Sequence, residues 1–128
     1  MVLGFGSSKK KILIVDDDDD QRTILKSLLE KQGYKVVAAS CSDEAIQLAQ
    51  EENPNLILMD INMPGMRGDI AVLRIKSEPK TKQIPVIMLT AVSDVQEKIL
   101  ASQAGAIDYV TKPYKTEELL VKITAHLK

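Results

Sequence analysis

Leu56-Ile57-Leu58-Met59-Asp60 decides how this chain is read. Four apolar residues in a row, with no polar alternate, cannot form a strand that wets one face. They fit a strand buried on both faces, as in a parallel sheet covered by helices. Asp60 then stands at the carboxyl end of that strand. The same grammar repeats in both directions. Towards the N-terminus, Val36-Val37-Ala38-Ala39 is one run, and Ile12-Leu13-Ile14-Val15 is another that stops at Asp16-Asp17. Towards the C-terminus, Pro85-Val86-Ile87-Met88-Leu89 ends in Thr90, and Ile107–Val110 leads into the turn Thr111-Lys112-Pro113.

Amphipathic stretches fill the gaps. Gln21–Lys31 carries Ile24/Leu28 and Leu25/Leu29 at i, i+4 spacing, with Gly33 as a stop. Ser42 or Asp43 can cap a helix with Ala45, Ile46, Leu48 and Ala49 inward, broken by Asn53-Pro54. After the turn-rich loop Asn62–Gly68, a helix near Asp69–Glu78 is predicted with Ile70 and Leu73 inward. Another near Asp94–Ala104 stops at Gly105, and Thr116–Leu127 presents Leu119, Ile123 and Leu127. Strands alternating with helices predict a three-layer α/β fold, a (βα)5 flavodoxin-like doubly wound parallel sheet of strand order 2-1-3-4-5 with right-handed crossovers. Residues 11–128 form the domain, and 1–10, with Gly-Ser-Ser-Lys-Lys-Lys running into it, reads as a flexible N-terminal tail.

The totals exclude several classes. With 128 residues the chain is one domain of ordinary size. A net charge of −1 asks for neither nucleic acid nor an anionic membrane. Cys41 and His126 are the single cysteine and histidine, so no internal disulfide and no Cys/His zinc site can be assembled. His126 reads as a cation at a helix C-terminus. No apolar run is long enough for a bilayer, and 1–11 has no apolar signal-peptide core. The expected setting is cytoplasmic.

In open parallel sheets, ligands bind beyond the carboxyl ends of the strands at the switch in strand order. Those ends deliver Asp16 and Asp17, Asp60, Thr90 and Lys112. Three converging carboxylates repel one another and suit a hard divalent cation such as Mg²⁺, with Mn²⁺ able to replace it. Lys112 adds a point charge and Thr90 a hydroxyl. Together these groups describe a phosphoryl-transfer site, in which a carboxylate can itself be the nucleophile. Asp18, Asp19 and Asp20 read instead as the solvated N-terminus of the first helix.

At these residues the chain resembles the receiver domain of two-component response regulators, in the single-domain form used in chemotaxis and sporulation. The resemblance runs from Lys10 to the C-terminus. It rests on Ile12–Asp17, on Leu58-Met59-Asp60-Ile61-Asn62-Met63-Pro64-Gly65-Met66, on Pro85–Ala91, on Gly105-Ala106 and on Lys112-Pro113. It implies that Asp60 accepts phosphate from a phosphohistidine on a sensor histidine kinase or histidine phosphotransfer protein. Asp17, Asp60 and the Asn62 backbone carbonyl would ligate Mg²⁺, with Asp16 acting through water. Lys112, Thr90 and Ala91 would bind the phosphoryl group, and Tyr109 would move inward as Thr90 moves. Lys112-Pro113 would be cis. The switched face would comprise the helix near Asp94–Ala104, the strand Ile107–Val110 and the helix Thr116–Leu127. It would bind a downstream protein or serve a phosphorelay, from a monomer or a weak phosphorylation-dependent dimer. Asn62 and Val92 would flank the site and set phosphoryl lifetime. The acidic run Asp18–Asp20 departs from the family, which often has a proline or apolar residue there.

Other readings are weaker. A haloacid-dehalogenase-type phosphatase has its nucleophile in Asp-x-Asp after strand one, but such enzymes need a cap and a longer chain. A flavin binder needs a Ser/Thr/Gly-rich phosphate loop where this chain places five carboxylates. A phosphorylation-dead scaffold is hard to reconcile with intact Asp17, Asp60, Thr90 and Lys112. The expectation is therefore a signalling domain rather than an enzyme with turnover.

Overall fold

The computed structural model describes residues 9–91 and 95–127, with backbone alone at 91, 95 and 97. Its elements run β1 Lys11–Val15, α1 Asp19–Lys31, β2 Lys35–Ala39, α2 Ser42–Glu52, β3 Leu56–Asp60, α3 Gly68–Ser77, β4 Val86–Ala91, α4 Val95–Ala104, β5 Asp108–Lys112 and α5 Thr116–His126. The strands form one sheet in the order β2-β1-β3-β4-β5, and every neighbouring pair is parallel. Of the expected tail, residues 1–8 lie outside the described residues, and Lys9 and Lys10 are exposed.

Successive strand residues point to opposite faces, so the apolar runs build two cores. Leu13, Val15, Ile57, Met59, Val86 and Met88 meet Ala45 and Ala49 of α2, Ala71, Val72 and Ile75 of α3, and Ala101 of α4. Ile12, Ile14, Leu56, Leu58, Ile87 and Leu89 meet Leu25 and Leu29 of α1 and Leu119 and Ile123 of α5. Each fully buried Leu or Ile contributes about 1.5–3 kcal/mol by leaving water. The small residues that α2 and α3 turn inward, Ala45, Ala49 and Ala71, let those helices approach the sheet closely.

The acidic run behaves as expected. Asp18 is the N-cap of α1, its carboxylate accepting from the Gln21 N–H at 3.0 Å, and Asp19 and Asp20 occupy the first turn. For α2, neither Ser42 nor Asp43 is the cap. Cys41 holds that position without a side-chain bond. Glu44 instead reaches back to the Ser40 N–H at 2.7 Å, and the buried Ser42 hydroxyl donates to the Met66 carbonyl at 2.7 Å. Left-handed backbone at Gly33 and Gly105, with φ of 96° and 110°, follows the ends of α1 and α4 as the sequence predicts.

Three further expectations fail. Ile70 and Leu73 do not point inward; they are 41% and 48% exposed, and α3 turns Ala71, Val72 and Ile75 to the core instead. The phase of α3 is set at its first residue. The Gly68 N–H donates to the Ile61 carbonyl at 2.9 Å, and a Cβ on Gly68 would lie 2.1 Å from the Asp60 carbonyl oxygen. Apolar periodicity offers two phases there, and this contact selects one. Ile24 is likewise 62% exposed, so only Leu25 and Leu29 of the two expected pairs are fully inward, with Leu28 partly buried against them. The last strand starts one residue later than Ile107–Val110 and ends two later, so Lys112 closes the strand rather than sitting in a turn. As a sheet edge, β5 needs only its inward positions apolar, and exposed Ile107 precedes it. Asp94, expected to open α4, lies outside the described residues.

Candidate functional site

Parallel register explains why residues distant in sequence converge. Val15 pairs with Met59, so Asp16 and Asp60 follow side by side. Asp60 pairs with Leu89, and one step on, Thr90 pairs with Thr111 and Ala91 with Lys112. Asp16, Asp17 and Asp60 each offer a carboxylate oxygen within 4.8 Å of the others. Lys112 Nζ reaches both Asp16 Oδ2, at 3.2 Å, and Asp60 Oδ2, at 3.3 Å. The Asn62 N–H donates to Asp60 Oδ1 at 3.3 Å. The Lys112-Pro113 peptide is cis.

The carboxylates differ in employment. Asp16 is buried; its Oδ1 accepts from the Asp18 N–H at 3.0 Å, and its backbone carbonyl accepts from Arg22 at 2.7 Å. Asp17 is exposed and has no hydrogen bond or ion pair among the described residues. Asp60 is 7% exposed. Its burial, partly countered by Lys112 and reinforced by the Asp16 charge, pushes its pKa up to about 6. Burial alone would lower Lys112, but Asp60 and Asp16 together hold it above the usual lysine value. The two shifts describe one imbalance, because two carboxylates share a single ammonium. Lys112 gains from both, and Asp60 gains too little to offset its lost hydration. Tyr114, beyond the cis proline, is raised by burial.

Thr90 is 1% exposed, and its Oγ1 has no hydrogen-bond partner among the described residues. Such hydroxyls are uncommon, because leaving one unpaired costs about 1–3 kcal/mol. Tyr109 is not at the site. The residue is 38% exposed, and its ring has Lys98 Nζ 4.9 Å and Lys122 Nζ 5.3 Å from its centroid. Lys122 also donates to the Tyr109 carbonyl at 2.7 Å and, with His126, pairs with Asp108, at 3.3 and 3.1 Å. Those two partners and the Tyr109 N–H outweigh burial and hold Asp108 below the ordinary carboxylate range. His126 thus meets a specific acid at the end of its helix. Val92 lies outside the described residues.

An open cleft of about 820 Å³ runs from the carboxylates along α1 to the β5–α5 loop, lined by Ile24, Leu25, Leu28, Pro113 and Tyr114 beside Asp16, Asp60 and Lys112. Sequence reasoning passed over four residues that shape the site: Arg22, Tyr114, Arg67 and Gly68. Arg22 follows Asp19 at i, i+3, a readable pairing signal. Contacts of the other three depend on how the loops close, for which the sequence carries no periodic mark.

A doubly wound sheet with a carboxylate triad, an ammonium and a buried hydroxyl at its strand ends defines a class: aspartate-centred α/β signalling domains. Residues 12–124 match the response regulator receiver domain family, and the chain belongs to that family. Its solved neighbours agree. A response regulator from Chloroflexus aurantiacus is 36% identical over 94% of this chain and 98% of its own, with a TM-score of 0.90. The chemotaxis protein CheY4 of Vibrio cholerae is 31% identical over 94% and 100%, with a TM-score of 0.88. The signal receiver domain of a signal transduction histidine kinase from Syntrophus aciditrophicus is 35% identical over 92% and 89%, with a TM-score of 0.85. Receiver domains are signalling domains that work with sensor histidine kinases or phosphotransfer proteins. No helix among the described residues is long and apolar enough to cross a membrane.

Proposed function

We propose that Asp60 is the phosphoacceptor of a cytoplasmic, Mg²⁺-dependent two-component switch. The observation that carries this is the Asp16-Asp17-Asp60 carboxylate cluster at the strand ends, with the Lys112 ammonium shared between Asp16 and Asp60. At a neighbouring strand end the buried Thr90 hydroxyl, which has no acceptor among the described residues, suits a group that arrives with oxygens to spare. With a pKa of about 6, Asp60 is mostly ionised at neutral pH and can attack. Its oxygen forms a bond to phosphorus as the phosphorus–nitrogen bond to the donor histidine breaks, and the imidazole leaves with the nitrogen electron pair. Lys112 then pairs with a phosphoryl oxygen, and Thr90 donates to another, with the Ala91 backbone alongside.

Asp16, Asp17, Asp60 and the Asn62 carbonyl would hold Mg²⁺ (or Mn²⁺), which neutralises charge on the transferring group when bound. Asp17 suits direct ligation because no described residue hydrogen-bonds or ion-pairs with it, whereas Asp16 is already held by Lys112 and the Asp18 N–H. The cleft beside α1 and the β5–α5 loop is apolar enough to seat a donor helix, and the acidic run at its rim favours a donor with basic side chains. Drawing Thr90 towards phosphate leaves space for the Tyr109 ring, which couples the site to the α4-β5-α5 face for a downstream protein, a relay partner or a weak dimer.

Acetyl phosphate with Mg²⁺ should label one residue as a hydroxylamine-labile acyl phosphate, and Asp60→Asn should abolish the label. A label that persists in Asp60→Asn and maps to Asp18–Asp20 refutes this reading.

A further inference from the structure

The loop between β3 and α3 is fastened at more points than a connection of its length requires. The Met63 N–H donates to the Ile61 carbonyl at 3.2 Å, and the Gly68 N–H donates to the same oxygen at 2.9 Å. Ser42, buried in α2, donates to the Met66 carbonyl at 2.7 Å. Gly68 lies so close to Asp60 that a Cβ would sit 2.1 Å from the Asp60 carbonyl oxygen. Arg67 lies within this loop, next to Gly68. Its Nη1 donates to Asn62 Oδ1 at 3.2 Å, and its Nε pairs with Asp69 Oδ1 at 3.2 Å. Asp69 is 7% exposed, so one end of the Arg67 fork is anchored in the body of the protein. The other end holds Asn62, whose backbone N–H donates to Asp60.

We propose that Arg67 is a positioning residue for the acceptor site, tethering the Asn62 side chain to buried Asp69 and so holding the Asn62 peptide against Asp60. The planar guanidinium suits this role because its donors are fixed relative to one another, which a lysine ammonium cannot reproduce. The Arg67 guanidinium bonds Asn62 and Asp69, and it acts on the site through Asn62. The inference rests on the reading of the carboxylate cluster above, in which the Asn62 carbonyl is a cation ligand.

Positioning and simple electrostatics make opposite predictions. If Arg67 is only a neighbouring charge, removing it should tighten divalent cation binding. If it positions Asn62, removing it should loosen that binding. The test is a Mg²⁺ titration of the full chain followed through backbone amide resonances. Arg67→Ala should weaken Mg²⁺ three- to tenfold, and Arg67→Lys should fall between it and the unaltered protein. Asn62→Ala, which spares the Arg67–Asp69 pair, should weaken Mg²⁺ to a similar degree. Arg67→Ala added to Asn62→Ala should then weaken it by no more than about 1.5-fold, since coupled residues are not additive. Tighter binding in Arg67→Ala, or fully additive losses, overturns the proposal. If the unaltered protein shows no Mg²⁺-dependent shifts, the cation reading fails instead. Arg67 is then judged without ligand: an Asn62 amide resonance unmoved by Arg67→Ala overturns the positioning role, and a displaced or broadened one supports it.

Discussion

Replacing Asp60 should make the protein more stable, and the size of the gain follows from its surroundings. Asp60 ionises in the unfolded chain at the ordinary carboxylate pKa of 3.8 but only at about 6 in the fold. Above pH 6 it is charged in both states, and the folded state alone bears the burial and the Asp16 repulsion. At about 1.4 kcal/mol per pH unit the difference is about 3 kcal/mol. The cleft is open to water, and screening reduces this to about 1–2 kcal/mol. The Lys112 attraction is already inside that net shift. An amide in place of the carboxylate keeps the shape and loses the charge. Asp60→Asn should therefore raise stability by about 1–2 kcal/mol at pH 7.5, or about 3–8 °C in Tm. As pH falls from 6 towards 4 the unaltered carboxyl takes up its proton, the cost disappears, and the two proteins should converge. Urea unfolding at pH 7.5 and pH 4.5 in metal-free buffer reads both quantities. An Asp60→Asn protein no more stable than the parent at pH 7.5, or a gain that persists unchanged at pH 4.5, refutes the claim that Asp60 is held in an electrostatically costly place.

Mg²⁺ at a hundredfold excess over its Kd should stabilise the unaltered protein by about 2.7 kcal/mol, and thermal melts should show Asp17→Asn losing most of that gain. Thr90→Val removes an unpaired buried hydroxyl at nearly constant volume, so it should stabilise by about 1 kcal/mol or be neutral; a loss above about 2 kcal/mol in urea would show that the hydroxyl has a partner. The same variant should still take the acetyl phosphate label, while its amide shifts on the α4-β5-α5 face with beryllofluoride shrink. Leu58→Ala, which empties a fully buried position in the central strand, should cost about 2–5 kcal/mol by chemical denaturation, and a cost below 1 kcal/mol would contradict the packing described.

Central strands were legible because burial on both faces leaves a mark that cannot be mistaken for an amphipathic helix, as in Leu56–Met59. From the strand ends, Asp16, Asp17, Asp60, Thr90 and Lys112 followed directly, since register in a parallel sheet carries one residue to the next. Edge and helix phase were less legible. Ile107 looks like a strand residue but is exposed, because an edge strand tolerates polar positions and its limits are set by pairing with β4 rather than by hydrophobicity. Ile70 and Leu73 mislead because α3 is phased by Gly68 pressed on Asp60, a contact between backbones that no side-chain pattern encodes. Arg67 escaped for a related reason. Its partners, Asn62 and Asp69, are near in sequence, yet only the closed loop decides which of many polar residues it meets.

The four strand ends that form the site come from segments spread over most of the chain, and no single hairpin or βα unit holds more than two of them. Long-range parallel pairing of this kind forms slowly. A chain with β1 to β3 assembled but β4 and β5 undocked would carry the nucleophile without Lys112 or Thr90. If Asp60 is the acceptor proposed above, its labelling would also report that the sheet is complete. A refolding time course sampled with acetyl phosphate would then report when the last strand docks.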